Sequence, residues 1–344
     1  MMKTKVLIRK YLADGGSNYI LNLIFISFIY VMTIKKIYLD RIVSDEELKS
    51  AKGTFLDSGY VHHFINYDCD IYDESTREFI CSFRKNRLKQ SKLAWTNYRH
   101  LSVASRGRGA SAGPIDPTSD YWKKRELIKT NGFKTSYMVK GKPSKMSVNN
   151  QVASTPIGFF EKTKALGIDK PCRLTYHTEQ ALKEYENGKP YIHELNRWFK
   201  HIRPNEHKLL LDRANLQPQF KIDHTAFSTI TMNRNFRTAV HQDAGDFGHI
   251  AVLSCLEYGK YSGCLFMLPA WGIGIDLRQD DILVANVGNY HCNSEIYTTK
   301  EQDEYNATLP KVFKGNPAVG TVGIYENYSR ITFVSYLREK LIDC

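Results

Sequence analysis

The chain has 344 residues, ordinary apolar and charged contents, and a net charge of +12 at pH 7. This length fits one large domain or a domain with an appendage, and the composition excludes a coiled coil, a collagen and a disordered chain. A basic balance favours polyanionic partners such as nucleic acid or an anionic membrane, and charge by itself does not choose between them.

The N-terminus carries an apolar run over residues 19–34, with basic residues upstream. Such a run could be a signal sequence or a short membrane anchor. Polar residues interrupt it, however, and no small-residue cleavage site follows. We therefore predict that residues 1–31 are an extension that the fold does not need and that the protein does not associate with a membrane, with an anchor as the alternative.

Short helices and strands are predicted in the first two thirds of the chain. Ser44 and Glu47 form a capping box ahead of a helix that we expect to end near Gly59. Residues 60–84 are expected to form short strands. Further along, a Gly-Lys-Pro triplet and Pro204 interrupt a helical pattern, which predicts three separate helices. These helices would cover residues 178–187, 191–202 and 205–215.

From Phe227 onward, short strand-like runs are separated by turn residues, with no helical pattern between them. This pattern disfavours a parallel sheet and favours a jelly roll or barrel. We predict an α+β fold, a double-stranded β-helix core with helices packed on one face. Residues 32–344 would form a single catalytic unit, in which 32–226 support the core and 227–344 form it around an inserted loop, 298–327.

The seven cysteines are odd in number, and no two form a CxxC pair. This pattern argues against a disulfide framework and a cysteine zinc site, and it predicts an intracellular, reducing compartment, cytoplasmic or nuclear. Cys292 follows His291, but neighbours on a strand point to opposite faces, so the two cannot easily ligate one ion.

The motif His241-Gln242-Asp243 carries the functional interpretation. Residues i and i+2 of an extended segment project to the same side, so the imidazole and the carboxylate converge. His291, 48 residues after Asp243, can supply a third ligand. Two histidines and one carboxylate leave positions open on an octahedral ion, as in non-haem Fe(II) oxygenases. The HExxH motif of zinc hydrolases is absent, and a surface polar pair is the alternative for an isolated HxD.

Arg330 and Thr332 form a second motif, Arg-x-Thr, near the C-terminus. Strand alternation places both on one face, with Ile331 and Phe333 on the other. A guanidinium fork with a nearby hydroxyl suits the distal carboxylate of a dicarboxylate. A surface arginine at the start of a strand is the alternative. Residues 271–287 are predicted to be a hairpin that leads to the third metal ligand.

Three segments resemble the oxygenase domain shared by the TET and J-binding proteins. In chain order they are NRNFRTAVHQDAGDFGHIAVLSCLEYG, the stretch ending in His291, and YSRITFVSYLRE. SRGRGASAGPID resembles a loop that precedes the core in protist and viral members. The resemblance covers roughly residues 95–340. His291 and Arg330 lie 39 positions apart, a wider gap than in many such oxygenases, so an insert must loop out there.

The resemblance implies Fe(II) as the metal and 2-oxoglutarate as the co-substrate, with ascorbate as an alternative co-substrate or reductant. The implied iron ligands are His241, Asp243 and His291. Binding of 2-oxoglutarate is expected from Arg330, Thr332, Arg237 and Asn233. Asp246 is expected either to orient a ligand histidine or to contact the substrate base, and a turn carboxylate that caps the next strand is its structural alternative.

The resemblance also implies oxidation of the 5-methyl group of a pyrimidine in nucleic acid. A duplex hides this group from a buried iron, so the base must be flipped out or single-stranded. Basic and aromatic side chains would hold the polymer, and each could also be part of a solvated face. The candidates are Arg106, Arg108, Trp122, Lys123 and Lys124, together with the basic cluster 84–89.

We therefore predict an Fe(II)- and 2-oxoglutarate-dependent dioxygenase that hydroxylates 5-methylcytosine or thymine in DNA, with 5-methylcytosine slightly favoured. Two alternatives remain open on the sequence. One is a protein or small-molecule hydroxylase with the same iron site. The other is a non-catalytic nucleic-acid-binding relative, which the intact ligand set disfavours. No protein partner is predicted.

Overall fold

The computed structural model describes residues 34–101, 104–105, 108–115, 126–131, 134–144, 150, 152–165, 168–312 and 328–344. Lys36–Cys344 form one compact unit. In chain order, the strands are β1 Lys35–Leu39, β2 His63–Ile65, β3 Cys69–Asp73, β4 Phe79–Arg84, β5 Ala104–Ser105, β6 Leu127–Asn131, β7 Lys134–Val139, β8 Lys142–Pro143, β9 Val152–Phe160, β10 Thr163–Ala165, β11 Ile168–Lys170, β12 Arg173–Leu174, β13 Thr229–Arg234, β14 Ile250–Tyr258, β15 Ser262–Gly263, β16 Phe266–Leu268, β17 Ile273–Ile275, β18 Ile282–Asn286, β19 Cys292–Asn293, β20 Ile296–Tyr297 and β21 Ser329–Tyr336.

The α-helices are α1 Asp45–Ser50, α2 Ser91–Tyr98, α3 Tyr176–Gln180, α4 Leu182–Ile202, α5 Pro204–Ala214 and α6 Lys300–Ala307. Short 3-10 turns lie at Ser58–Tyr60, Arg99–Leu101, Gly109–Ala112, Pro218–Phe220, Phe247–His249, Pro269–Trp271 and Glu339–Asp343.

Helix α1 begins with the predicted capping box, because the Glu47 N–H donates to Ser44 Oγ at 3.3 Å and the Ser44 N–H donates to Glu47 Oε2 at 2.9 Å. Its predicted end near Gly59 is wrong, since the helix stops at Ser50. There the chain turns, and the Gly53 N–H donates to the Val240 carbonyl at 2.8 Å. The long-range partner, which local patterns do not reveal, ends the helix.

The predicted helix break at residues 188–190 is also wrong, because α4 continues through Pro190. A proline inside a helix costs about 3 kcal/mol. Several side chains of α4 are fully buried, among them Leu195 and Phe199, and each contributes roughly 1.5–3 kcal/mol. Gly188 is needed for this packing, since a Cβ there would lie 2.2 Å from the ring of Tyr98. Burial therefore outweighs the local propensity.

A large sheet forms the centre of the fold, with the strand order β1-β3-β4-β18-β14-β21-β13-β9-β12 and with β5 paired to β9. An inner strand of this sheet, β21, pairs antiparallel with β13 on one side and β14 on the other. A smaller sheet has the order β19-β16-β17-β2. Minor pairings are β10-β11, β15-β20 and β6-β7-β8.

Two apolar layers cover the large sheet. One lies between the two sheets and includes Leu253 of β14 and Met267 of β16. The other lies between the large sheet and helices α2, α4 and α5, and includes Phe333 of β21 and Phe199 of α4. A large antiparallel sheet faces a smaller sheet in which only β17 and β2 pair parallel, among the described strands. With helices on one outer face, this arrangement confirms the predicted α+β, double-stranded β-helix fold.

The predicted hairpin over 271–287 is wrong. β17 pairs with β16 and β2 in the small sheet, whereas β18 pairs with β14 and β4 in the large sheet. The chain therefore crosses between the sheets at this corner. Asp281 holds the turn, accepting from the Asn86 N–H at 2.9 Å and the Arg278 N–H at 3.1 Å. Two short strands around a turn look alike in sequence whether they pair or separate.

Cys172 and Cys344 form a disulfide, which the cysteine count did not predict. Their separation of 172 residues carries no sequence signal. The other five cysteines are buried and take part in no disulfide within the described residues. Within the described ranges, none of the helices is sufficiently long and apolar for a membrane crossing. The apolar extension predicted for residues 1–31 lies outside these ranges.

Candidate iron and 2-oxoglutarate site

His241 and His291 are placed together by a short antiparallel bridge between their segments. The His241 N–H donates to the His291 carbonyl at 3.0 Å, and the His291 N–H donates to the His241 carbonyl at 2.9 Å. Each ring is oriented by its own Nδ1, which lies 2.8 Å from the Ala239 carbonyl in His241 and 2.9 Å from the Asn289 carbonyl in His291. Both Nδ1 atoms therefore act as donors, and both Nε2 atoms present lone pairs.

Asp243 completes the group. Its Oδ1 lies 3.6 Å from His241 Nε2, and its Oδ2 lies 3.7 Å from His291 Nε2. One ligand atom from each residue lies within 4.8 Å of the others. Burial, together with the neighbouring His291, lowers the pKa of His241 to about 4, which keeps its imidazole neutral as a metal ligand requires. Two imidazoles and one carboxylate fit a divalent iron ion.

A cavity of about 200 Å³ adjoins these three side chains. One wall is a single face of β21 and its continuation, which presents Arg330, Thr332, Val334, Tyr336 and Arg338. The strand from Arg330 to Tyr336 spans about 20 Å at the usual rise. The cavity thus has an Arg330 end and an Arg338 end. At the latter, a bridge between Asp246 and Arg338 joins the strand to the loop that carries Asp243.

Arg330 is 3% exposed, and its neighbours Ile331 and Phe333 pack on the opposite, helix-covered face, as the alternation predicted. Its Nη2 lies 3.4 Å from the Leu277 carbonyl, and its buried Nε has no hydrogen-bond partner. In the part of the chain that the structure describes, no carboxylate forms an ion pair with it. A buried cation with open donors fits the distal carboxylate of 2-oxoglutarate.

Asn235 fixes the backbone of Arg330, and the sequence patterns did not single it out. The Arg330 N–H donates to Asn235 Oδ1 at 2.6 Å, and the Asn235 N–H donates to the Arg330 carbonyl at 2.8 Å. Asn235 Nδ2 donates to the Tyr328 carbonyl at 3.2 Å. Asn235 has a φ of +44°, a conformation that asparagine adopts more readily than most residues.

Asp246 lines the cavity and is 8% exposed. Burial, reinforced by the Asp243 charge, raises its pKa to about 8, against the lowering effect of Arg338. Backbone carbonyls, rather than Asp246, orient the two ligand histidines. Its side chain also makes no capping bond to the 3-10 turn that follows. Its carboxyl group therefore faces the cavity without either of the two structural roles considered for it.

Asn233 and Arg237, the two other residues expected to bind the co-substrate, differ in whether they reach the cavity. Asn233 lines the cavity and accepts a hydrogen bond from Ser154 Oγ. Arg237 is absent from the cavity wall. Its Nη2 donates to the Leu56 carbonyl at 2.7 Å, and its guanidinium stacks 4.9 Å from the centre of the Phe55 ring. The structure therefore brings Asn233, but not Arg237, to Arg330 and Thr332.

Of the basic residues predicted to hold nucleic acid, Arg108 lines the cavity, and burial lowers its pKa. Arg106, Trp122, Lys123 and Lys124 lie outside the described residues. In the cluster 84–89, Arg84 is buried and lies 2.8 Å from Asp70, and Arg87 pairs with Asp68. Both arginines therefore serve the fold, and the interpretation of this cluster as a nucleic-acid surface is wrong for them.

The double-stranded β-helix fold and the His241, Asp243 and His291 group are the features expected of a metal-dependent oxygenase. The Tet_JBP family, described as the oxygenase domain of the 2OGFeDO superfamily, matches residues 156–339. Because this match covers more than half of the sequence, the chain belongs to that family, as the resemblance predicted.

The chain is also similar to individual proteins. Thymine dioxygenase JBP1 of Trypanosoma brucei brucei is 32% identical over 177 residues, which are 50% of this chain and 20% of that protein. The bifunctional helicase and thymine dioxygenase JBP2 of Trypanosoma cruzi is 31% identical over 129 residues, or 37% of this chain and 12% of that protein. The chain thus matches a fifth or less of these relatives. The structure of NgTET1 in complex with 5mC DNA has a TM-score of 0.45 at 10% identity, over 80% of this chain and 78% of that one.

Proposed function

We propose that the chain is an Fe(II)- and 2-oxoglutarate-dependent dioxygenase that hydroxylates the 5-methyl group of a pyrimidine in DNA. One observation carries this proposal. The His241, Asp243 and His291 group shares a cavity with a buried Arg330, for which the described residues provide no carboxylate partner. A dianionic co-substrate that also chelates the metal satisfies both features at once.

His241, Asp243 and His291 would hold the iron, and Arg330 with Thr332 would hold the distal carboxylate of 2-oxoglutarate. Bound iron, 2-oxoglutarate and oxygen supply the oxidising chemistry, while the protein supplies orientation and shielding. Thr332 Oγ1 donates to the Asn233 carbonyl at 3.3 Å, which steadies this side of the wall. The uncompensated Arg330 favours a dicarboxylate over ascorbate, which would then act at most as a reductant.

The Arg338 end of the cavity would take the target base, which must leave the duplex to reach it. Asp246 offers a carboxyl group there, and Arg338 and Arg108 offer N–H donors. Donors suit the two carbonyls of thymine, and relatives named thymine dioxygenases support thymine over 5-methylcytosine as the first base to test. Arg106, Trp122, Lys123 and Lys124 remain predicted contacts to the DNA backbone.

We also propose that residues 32–344 act as a single catalytic unit. β3 and β4 precede residue 227, yet they join β18 and β14 in the same sheet, which supports this division. An intracellular, reducing location remains part of the proposal. The five cysteines that take part in no disulfide within the described residues support it, whereas the Cys172–Cys344 disulfide does not.

The test is anaerobic Fe(II) reconstitution, followed by 2-oxoglutarate and oxygen with duplexes that contain thymine or 5-methylcytosine. Nucleoside mass spectrometry should find a 5-hydroxymethylpyrimidine, formed together with succinate. Succinate without an oxidised base would favour the protein or small-molecule hydroxylase. No succinate and no metal binding would favour the non-catalytic relative.

A further inference from the structure

The two arginines at the ends of the cavity differ in charge compensation. Within the described ranges, no acidic side chain pairs with Arg330. Arg338 Nη1, in contrast, lies 2.7 Å from Glu161 Oε1 and 2.6 Å from Glu161 Oε2. The two side chains of this pair are 17% and 15% exposed, so solvent screens it only partly. The Arg330 end of the cavity is therefore cationic, whereas at the other end the Arg338 cation is paired with Glu161 and lies beside Asp246 and Arg108 in the cavity lining.

Glu161 lies behind the cavity wall, just after the end of β9, and does not line the cavity itself. Its neighbour Phe160 places its ring centre 4.0 Å from the guanidinium carbon of Arg338. The Arg338 N–H donates to Ser228 Oγ at 2.9 Å. Backbone, ring and carboxylate thus hold Arg338 in one orientation, and its buried Nε remains without a hydrogen-bond partner.

We propose that Glu161 is a positioning and specificity-determining residue that neutralises Arg338. The dianionic co-substrate then binds at the Arg330 end. The Arg338 end becomes a site for an uncharged, carbonyl-bearing ring. This inference rests on the proposed function. A paired arginine can still donate hydrogen bonds to a neutral carbonyl, but it attracts a second anion far less than an unpaired one.

Glu161→Gln keeps the size of the side chain and removes its charge, which leaves Arg338 as an unpaired cation beside the cavity. Equilibrium dialysis of labelled 2-oxoglutarate against the anaerobic, Fe(II)-loaded full chain should find one molecule bound per wild-type chain and a second in the variant. Inorganic phosphate should displace the second molecule first. These readouts need no turnover.

Kinetics supply the second readout. In Glu161→Gln, the KM for a thymine-containing duplex should rise roughly 10- to 100-fold, because Arg338 loses its charge-assisted anchor. The KM for 2-oxoglutarate, measured at low 2-oxoglutarate concentrations, should stay within about twofold of the wild-type value, because the Arg330 end is separate from the Arg338 end. Excess 2-oxoglutarate should now inhibit. Glu161→Asp, which keeps the charge, should restore a single dicarboxylate site.

Asp70→Asn is the matched control, because it breaks another partly buried ion pair, with Arg84, whose residues do not line the cavity. It should lose stability without a second anion site. If Glu161→Gln fails to fold, the double variant Glu161→Gln with Arg338→Gln, which buries no unpaired charge, replaces it. That variant must bind one dicarboxylate and show the raised KM for the duplex.

The outcomes separate this inference from the proposed function. One dicarboxylate per chain in wild type and Glu161→Gln, with an unchanged KM for the duplex, overturns the role of Glu161. A double variant with the wild-type KM for the duplex overturns it as well. If wild-type protein oxidises no base but Glu161→Gln gains the second anion site, the charge partition stands and the proposed substrate falls.

Discussion

The two ends of the cavity are held by different kinds of structure. Arg330 lies within β21, between two regular strands, and Asn235 clamps its backbone on both sides. Arg338 lies beyond the end of β21, where the chain contacts an irregular loop. There, the Phe247 N–H donates to the Leu337 carbonyl at 2.8 Å, and the Glu339 N–H donates to the Gly245 carbonyl at 2.8 Å.

This difference fits two separate binding functions, one for the regular sheet and one for the loops. A co-substrate shared by a whole superfamily can be bound by the regular sheet, which changes little when loops change. A substrate-binding end built from loops and a terminal segment can vary without disturbing the sheet. The predictions below separate the two ends, beginning with the residues that serve both.

Removing a metal ligand should abolish function at both ends together. His241→Ala or Asp243→Ala should lose Fe(II) binding and all turnover, because only two ligands remain, while the fold persists. Metal content and succinate formation are the measurements. Gln242→Ala is the matched control, since Gln242 lies between the two ligands with an exposed side chain. Near-normal turnover in either ligand variant would remove these residues from the iron site.

Arg330→Lys should damage the co-substrate end alone. Lysine cannot reproduce a bidentate grip on a carboxylate. Losing a charge-assisted bond costs on the order of 1.5–3 kcal/mol, so the KM for 2-oxoglutarate should rise roughly 10- to 150-fold, with the KM for the duplex nearly unchanged. Arg84→Lys, in the same sheet but away from the cavity, provides the control. An unchanged KM for 2-oxoglutarate, or turnover with ascorbate alone, contradicts the assignment.

Sequence patterns predicted the placement of Arg330 and Thr332 better than that of Arg338 and its partners, for a physical reason. HxD and Arg-x-Thr are spacings of two on extended chain, so the alternation of a strand places their side chains directly. The sheet around Arg330 then follows from runs of apolar residues.

Glu161, Ser228 and Arg338, in contrast, meet through contacts between segments far apart in the chain. No local period encodes such contacts, and the same limit explains the missed crossing at 271–287 and the missed disulfide. Asn235 shows the limit within the regular part, because its role depends on a left-handed φ at the end of β13. An asparagine after a strand predicts a turn, but the local sequence does not reveal its hydrogen-bond partner in a distant strand.

Asn235→Ala should produce a smaller effect at the co-substrate end. It removes two side-chain hydrogen bonds and strains the backbone, so stability should fall by about 1–3 kcal/mol. The KM for 2-oxoglutarate should rise roughly 3- to 10-fold, because Arg330 loses its clamp. Asn235→Asp keeps the oxygen that accepts from the Arg330 N–H and should retain most of the affinity. Equal KM increases in both variants would mean that the clamp does not position Arg330.

The smallest effect should appear when the C-terminal segment is released at the substrate end. Cys344→Ser removes the disulfide to Cys172, while the bonds from Glu339 and Phe247 to their backbone partners remain. Because these remaining bonds still place Arg338 beside Asp246, we expect the KM for the duplex to rise by only about 2- to 5-fold, the loss of roughly one neutral hydrogen bond. The KM for 2-oxoglutarate should not change. Dithiothreitol should reproduce this shift in wild type and do nothing further in Cys344→Ser. A shift in the KM for 2-oxoglutarate instead would show that the tether acts through the whole sheet, and the two ends would then not be independent.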